Sequence, residues 1–165
     1  MKTPLVAAVR DALAADLASM RKAVGDTRAA ATHPEAKPEN DKDTRALELS
    51  YLARGQAARV VELQQAEEKL ARLVVRTFDG EGARIALTAL VAVESEGVRQ
   101  LYFVAPYGGG LRARIRMDEG GDEMEVLVVT PESPVGRHLL GKVVGDEFVL
   151  TTGPKTKECA IVAAW

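Results

Sequence analysis

The sequence predicts an α+β protein, with an N-terminal antiparallel coiled-coil helical hairpin and a C-terminal antiparallel β domain carrying one short helix. Three observations predict it. Two long stretches before residue 77 repeat apolar residues every three or four positions. Between them lies His33 to Asp43 (H-P-E-A-K-P-E-N-D-K-D), where two prolines and four acids fall within eleven positions. After residue 77 glycines become frequent and apolar residues gather in short runs bounded by turn signals.

Thr3 and Pro4 read as a helix cap and first turn. Val6, Val9, Leu13, Leu17, Met20, Val24, Thr27 and Ala31 then follow at an average spacing near 3.5, which marks a narrow coiled-coil seam. Arg10, Asp11, Asp16, Arg21, Lys22, Asp26 and Arg28 lie between them and are expected to face water. Pro34 and Pro38 cannot continue the helix, and Asn40, Asp41 or Asp43 supplies a cap for the next one. The second seam reads Leu49, Leu52, Gln56, Val60, Leu63, Ala66, Leu70 and Leu73. Each helix spans nearly thirty residues, about 40 Å at 1.5 Å per residue. A short connection between two such helices makes them antiparallel. Gly55 interrupts the second helix at a cost of about 1 kcal/mol relative to alanine, and close packing against the first helix would account for it.

The hairpin is assigned to 1–76, with its tip at about 33–43, and the β domain to 77–165, the boundary falling at Thr77 to Gly82. Strands are expected at Ile85 to Glu94, Val98 to Ala105, Leu111 to Met117 and Glu125 to Thr130, with a tight turn at Gly97 and a loop at Pro106 to Gly110. Ser133 and Pro134 cap and start a short helix over Val135 to Leu140, which Gly141 ends. Phe148 to Thr152 and Glu158 to Ala164 form a closing hairpin around Gly153-Pro154.

Composition narrows the function. The net charge of −2 advertises no nucleic-acid partner, so direct DNA or RNA binding would need a local basic patch. Arg112, Arg114 and Arg116 form such a row on one side of a strand, where a solvated face is the ordinary reading. Cys159 is the one cysteine, expected to be a small buried hydrophobe, so neither an intrachain disulfide nor a cysteine metal cluster is available. His33 and His138 lack a third zinc ligand, and Ser133 lacks a paired histidine and acid. No targeting segment or apolar run of membrane length is evident, which predicts a soluble cytoplasmic protein.

The run Thr130 to Glu147, T-P-E-S-P-V-G-R-H-L-L-G-K-V-V-G-D-E, closely resembles the C-terminal domain of the bacterial Gre transcript-cleavage and elongation factors. That family carries an acidic-Ser-Pro turn, a helix with a small residue, Arg, Leu-Leu or Leu-Ile and Gly-Lys, and then Val-Gly-Asp-Glu before a strand. Asp43 to Leu63 is similar to the family's second coiled-coil helix, and the order of hairpin and β domain agrees. The resemblance implies an FKBP-like C-terminal domain and RNA polymerase as the partner. The globular domain would dock at the rim of the secondary channel and the coiled coil would enter it. The factor would be no enzyme itself but would stimulate the polymerase's own cleavage of backtracked RNA, with indirect contact to nascent RNA, and it is expected to act as a monomer.

The same resemblance assigns the tip acids Glu39, Asp41 and Asp43, with Glu35 nearby, to assisting the polymerase Mg²⁺, and Glu39 and Asp41 to sharing that metal. Carboxylate oxygens suit this hard cation, and the protein would carry no cofactor of its own. The bland role for these acids is solvating a loop and favouring a helix N-terminus. The family tip reads Asp, two residues, Glu, Asn; here Glu39-Asn40 matches the pair, but Ala36 stands at the Asp position with Glu35 one place off. Glu132, Ser133, Pro134 and Arg137 match the polymerase-contacting turn, with helix capping as the structural alternative. Two other functions stay open: a channel regulator that does not stimulate cleavage, and a Rnk-like regulatory interaction protein, a type with the same C-terminal domain and a shorter hairpin. Prolyl isomerase activity is not expected from so few aromatic residues.

Overall fold

The structure is a computed structural model that describes residues 2–32, 45–78, 82–116 and 121–165. Two long helices come first, α1 (Lys2–Thr32) and α2 (Arg45–Ala71). Six strands and a short helix follow: β1 (Leu90–Ser95), β2 (Val98–Val104), β3 (Arg112–Arg116), β4 (Glu123–Val129), α3 (Pro134–Leu139), β5 (Glu147–Thr152) and β6 (Lys155–Ala164). The chain forms two compact units, one of Met1–Ala12 with Lys69–Trp165 and one of Leu13–Glu68.

The two long helices follow the expected periodicity with local changes. α1 begins at Lys2, so Thr3 lies within the helix rather than capping it, and Pro4 sits in the first turn, where its missing N–H costs no hydrogen bond. Val9, Leu13 and Leu17 are buried, and the intervening charged residues of α1 are exposed. Leu5 is fully buried where Val6 was expected to lead the seam. On α2, Leu63, Ala66 and Leu70 are buried, and Leu49, Ala53, Gln56 and Val60 half-buried. Leu52 is 53% exposed and does not belong to the seam. Between Leu49 and Gln56 the steps 3 then 4 and 4 then 3 both complete a heptad, and burial selects Ala53.

Gly55 also differs from expectation. A Cβ built there meets nothing within 4 Å, so no close packing explains the glycine. Its cost is the conformational entropy of an unconstrained residue in a helix. Gly55→Ala is therefore expected to stabilise the protein by up to about 1 kcal/mol in urea denaturation; a loss of stability would show that the residue has a neighbour.

The sheet is mixed, with order β3-β4-β2-β1-β6-β5, and this corrects the antiparallel expectation. β2 and β4 run parallel, with Leu101 opposite Val126 and Val104 opposite Val129; the other pairings are antiparallel. The chain leaves β2 at Ala105, steps past one strand position to the edge strand β3, and returns as β4 to fill the gap. Three glycines make that step possible, Gly108 and Gly110 with φ of +78° and +90°. The β1–β2 turn has positive φ at Glu96 (52°) and Gly97 (74°), the type I′ geometry that suits strand twist. At the β5–β6 turn Gly153 (φ 59°) precedes Pro154, the residue order of a type II′ turn.

The first expected strand is shorter than its composition suggests. Residues 85–89 are not strand, because Thr88 takes a φ of +73°, a rare conformation for a β-branched residue. Ile85 bonds instead to the segment after α3, donating to Lys142 O (2.8 Å) and accepting from Gly141 N (2.8 Å). Thr88 is 2% exposed, donates its N–H to Val104 O (2.7 Å), and accepts Arg76 N–H on Oγ1 (2.9 Å). These bonds offset a backbone strain of about 1–3 kcal/mol.

Both faces of the central strands are buried. Val91, Val93, Val104, Val129, Phe148, Cys159 and Ile161 form one core with Leu139 of α3. Cys159 is thus the small buried hydrophobe expected of it. Leu90, Ala92, Leu101, Phe103, Val126 and Val128 alternate with that set along β1, β2 and β4, and are buried as well. The same compact unit includes the first turns of α1 and the end of α2, where Leu5, Val9 and Leu70 are equally buried.

Tyr102 lies half-buried on β2, and burial, with a smaller contribution from Cys159, raises its phenol above the ordinary value of 10.0. A raised folded-state value leaves stability intact below the unfolded value and removes it as pH rises, because the unfolded chain ionises first. Thermal melts between about pH 9 and about pH 11 should therefore fall less steeply for Tyr102→Phe than for the parent chain, and equal slopes would rule this residue out as a source of alkaline sensitivity.

Candidate functional site

The tip acids Glu35, Glu39, Asp41 and Asp43 lie outside the described residues, as do His33 and the expected cap of α2. The second candidate group, Glu132, Ser133, Pro134 and Arg137, is fully described and sits at the turn from β4 into α3.

Ser133 organises that turn. Its backbone is extended (φ −66°, ψ 152°), its hydroxyl accepts the Gly136 N–H (3.0 Å), and it donates to Thr130 O (2.7 Å). Ser133 N–H also reaches Thr130 O (3.0 Å), and Arg137 N–H reaches Ser133 O (3.0 Å). The hydroxyl proton is therefore engaged in the fold, and the capping bond contributes about 1 kcal/mol. Pro134 occupies the first helical position, where no N–H is needed. Gly136 is required by space: a Cβ there would overlap the Thr130 carbonyl oxygen and stand 2.9 Å from Ser133 Oγ.

Glu132, Pro134 and Arg137 are exposed. Arg137 Nε donates to Glu132 O (2.9 Å), tying the guanidinium to the turn backbone. His138 stacks on Phe148 with ring centroids 5.2 Å apart, which occupies it in packing. After α3, Leu140 donates to Gly136 O (3.1 Å) and Gly141 takes a φ of +78°. Asp146 Oδ2 then accepts Val143 N–H (2.9 Å), while Gly145 N–H and Asp146 O bond to Ile161 (2.8 and 2.9 Å). Much of the Thr130 to Glu147 motif thus has a folding role, while Glu132, Pro134 and Arg137 face outward, as do Val144 and Glu147.

The parallel β2–β4 pairing places a second loop beside this turn. Ala105 N–H bonds Val129 O (2.9 Å), Gly110 N–H bonds Val128 O (2.9 Å), and Leu111 O accepts Val128 N–H (2.8 Å). A Cβ on Gly109 would stand 3.0 Å from Thr130 Cγ2. At the head of this loop, Lys69 Nζ lies 4.4 Å from the centroid of the partly exposed Tyr107 ring. In the sequence Tyr107 falls inside the loop Pro106 to Gly110, and an aromatic held between a proline and three glycines was the available signal.

The arginine row is exposed on the edge strand β3, but it is not a free cationic surface. Arg112 bonds Glu125, and Arg114 lies 3.8 Å from Glu123. Such exposed cross-strand pairs contribute about 0.2–1 kcal/mol each. Glu94, Glu96, Glu147 and Glu158 line an open concavity near the β1–β2 turn, where Lys157 bridges Glu96 (2.6 Å). Among the described residues, no group of three or more His, Cys, Asp or Glu side chains could hold a metal ion.

Solved structures similar to this chain include Gre-type transcription factors. GreA factor homolog 1 (Gfh1) of Thermus thermophilus is 22% identical, with 96% of this chain and 95% of that chain covered and a TM-score of 0.38. Gfh1 of Thermus aquaticus is 24% identical over 95% and 94%, with a TM-score of 0.38. A prokaryotic transcription elongation factor GreA/GreB from Nitrosomonas europaea is 20% identical over 62% of this chain and 78% of that chain, with a TM-score of 0.37. No protein-family model matches the chain, and no curated protein matches it significantly.

Proposed function

We propose that the protein is a Gre-type transcription factor that binds RNA polymerase. Its β unit docks through the β4–α3 turn, and its two long helices form an antiparallel coiled coil that enters the secondary channel. The observation that carries this reading is the Thr130 to Glu147 run. Its cap, small residue and turn acid have interlocking roles, while Glu132, Pro134 and Arg137 remain at the surface. The helices add support: at 31 and 27 residues they are about 40–46 Å long, better suited to a channel probe than to the shorter hairpin of a Rnk-like regulator.

At the tip, Glu39 and Asp41, with Asp43 nearby, would help hold a Mg²⁺ of the polymerase active site; their oxygen donors fit that cation. The bound metal supplies Lewis-acid activation of water for phosphoryl transfer. Cleavage is then the polymerase's reaction, and this chain supplies carboxylates and position. The protein works as a cytoplasmic monomer and reaches RNA only indirectly. No helix among the described residues is long and apolar enough to cross a membrane.

A second reading, a channel regulator without cleavage stimulation, is favoured by Ala36 at the family's Asp position and by the two tip prolines. Affinity capture with cognate core polymerase tests both readings, and failure to bind would dismiss both. Release of short 3′ RNA from a backtracked complex then separates them.

A further inference from the structure

We infer that Tyr107 is an aromatic anchor of the polymerase-docking surface and that the polymerase segment it meets is acidic as well as apolar; this rests on the reading above. Tyr107 and the Glu132-Ser133-Pro134 turn are 25 or more residues apart in sequence, yet each follows one of the two parallel strands and leaves the sheet at the same end. The bonds from Ala105 to Val129 and from Gly110 to Val128, and the close approach of Gly109 to Thr130, hold the two loops side by side.

The loop suits a contact role. Pro106 and the backbone hydrogen bonds restrict it before binding, so little conformational freedom is lost when a partner arrives. A partly exposed tyrosine on such a support is a common energetic centre of protein interfaces, because it buries a large area at the cost of few rotatable bonds. Its own fold uses one side of the ring as a seat for Lys69, a cation–π contact that orients both groups. Lys69, seated on the Tyr107 ring, and Arg137, held by the Glu132 backbone carbonyl rather than by a carboxylate, are both exposed cations. Charge complementarity therefore selects a partner segment with a carboxylate beside an apolar residue. Neither cation is close to the tip acids in sequence, so docking and cleavage are separable by mutation.

The test is binding of the full chain to cognate core polymerase, measured by biolayer interferometry at two salt concentrations. Tyr107→Ala should weaken binding at least about tenfold with an unchanged thermal melt, whereas Tyr107→Phe should bind within about twofold of the parent. Lys69→Glu should weaken binding more than Lys69→Ala, and the difference should shrink at high salt. Val149→Ala, at an exposed position on the other edge strand, should change nothing. If the parent binds and Tyr107→Ala binds equally well, the anchor is overturned while the polymerase reading stands. If Lys69→Glu binds as tightly as the parent, the acidic partner is overturned. Should Tyr107→Ala melt early, Tyr107→Leu, which keeps apolar bulk, takes its place under the same criterion. If the parent does not bind at all, both the docking reading and the anchor fall.

Discussion

Gly136→Val is expected to cost at least about 3 kcal/mol of folding stability, and Gly136→Ala about 1–3 kcal/mol. Even the first added carbon would overlap the Thr130 carbonyl oxygen, a backbone atom held at the end of β4. Moving α3 away to make room would stretch the Ser133 hydroxyl bonds to Thr130 O and Gly136 N–H, and would lift Leu139 from the core. Valine adds two further carbons to the same space. A domain of this size has about 5–15 kcal/mol to lose, so the valine variant should show a large fall in its urea midpoint. A change below about 1 kcal/mol for Gly136→Val would mean that α3 is not held against Thr130 as described.

The second large effect is functional. In the proposed complex, replacing Glu39 and Asp41 together by alanine should reduce cleavage of backtracked RNA roughly 10–100-fold or more, because the metal loses oxygen donors. Binding should stay within about twofold, since these residues are more than ninety positions from the proposed docking residues Glu132 to Arg137 in sequence. Ala36→Asp restores the spacing Asp, two residues, Glu, Asn and should raise the cleavage rate. Gel analysis of released 3′ RNA from a stalled complex, with and without Mg²⁺, measures both. Unchanged cleavage in the Glu39→Ala, Asp41→Ala double variant would remove the metal role from these acids. A parent chain that binds but releases no RNA would establish the regulator reading.

The helices were legible because their apolar spacing is written along the chain. The exchange of Leu52 for Ala53 was not, since a heptad can be divided either way and only the surrounding atoms decide which side chain is covered. The α3 cap was legible for a similar reason: Ser133-Pro134 is a local chemical signal and needs no distant partner. The docking candidates Glu132, Pro134 and Arg137 could be singled out by resemblance, but their outward placement could not. The continuous burial of β1 has a sequence trace in the apolar run Ala89 to Val93, which suits a central strand covered on both faces.

The sequence by itself determined the two long helices, most of the strands, the turn chemistry at Gly97 and Gly153-Pro154, and the capped start of α3. These depend on residues within a few positions of one another, where spacing, φ preference and side-chain capping act directly. Tertiary structure decided the parallel β2–β4 pairing, the left-handed Thr88 that ends the first apparent strand, and the meeting of the Tyr107 loop with the Ser133 turn. Strand order is a choice among long-range pairings that share the same local pattern, and Thr88 is stabilised by bonds to Val104 and Arg76, far from it in sequence. Cooperative packing selects between such alternatives, because burying both faces of β1, β2 and β4 satisfies all of their apolar residues at once.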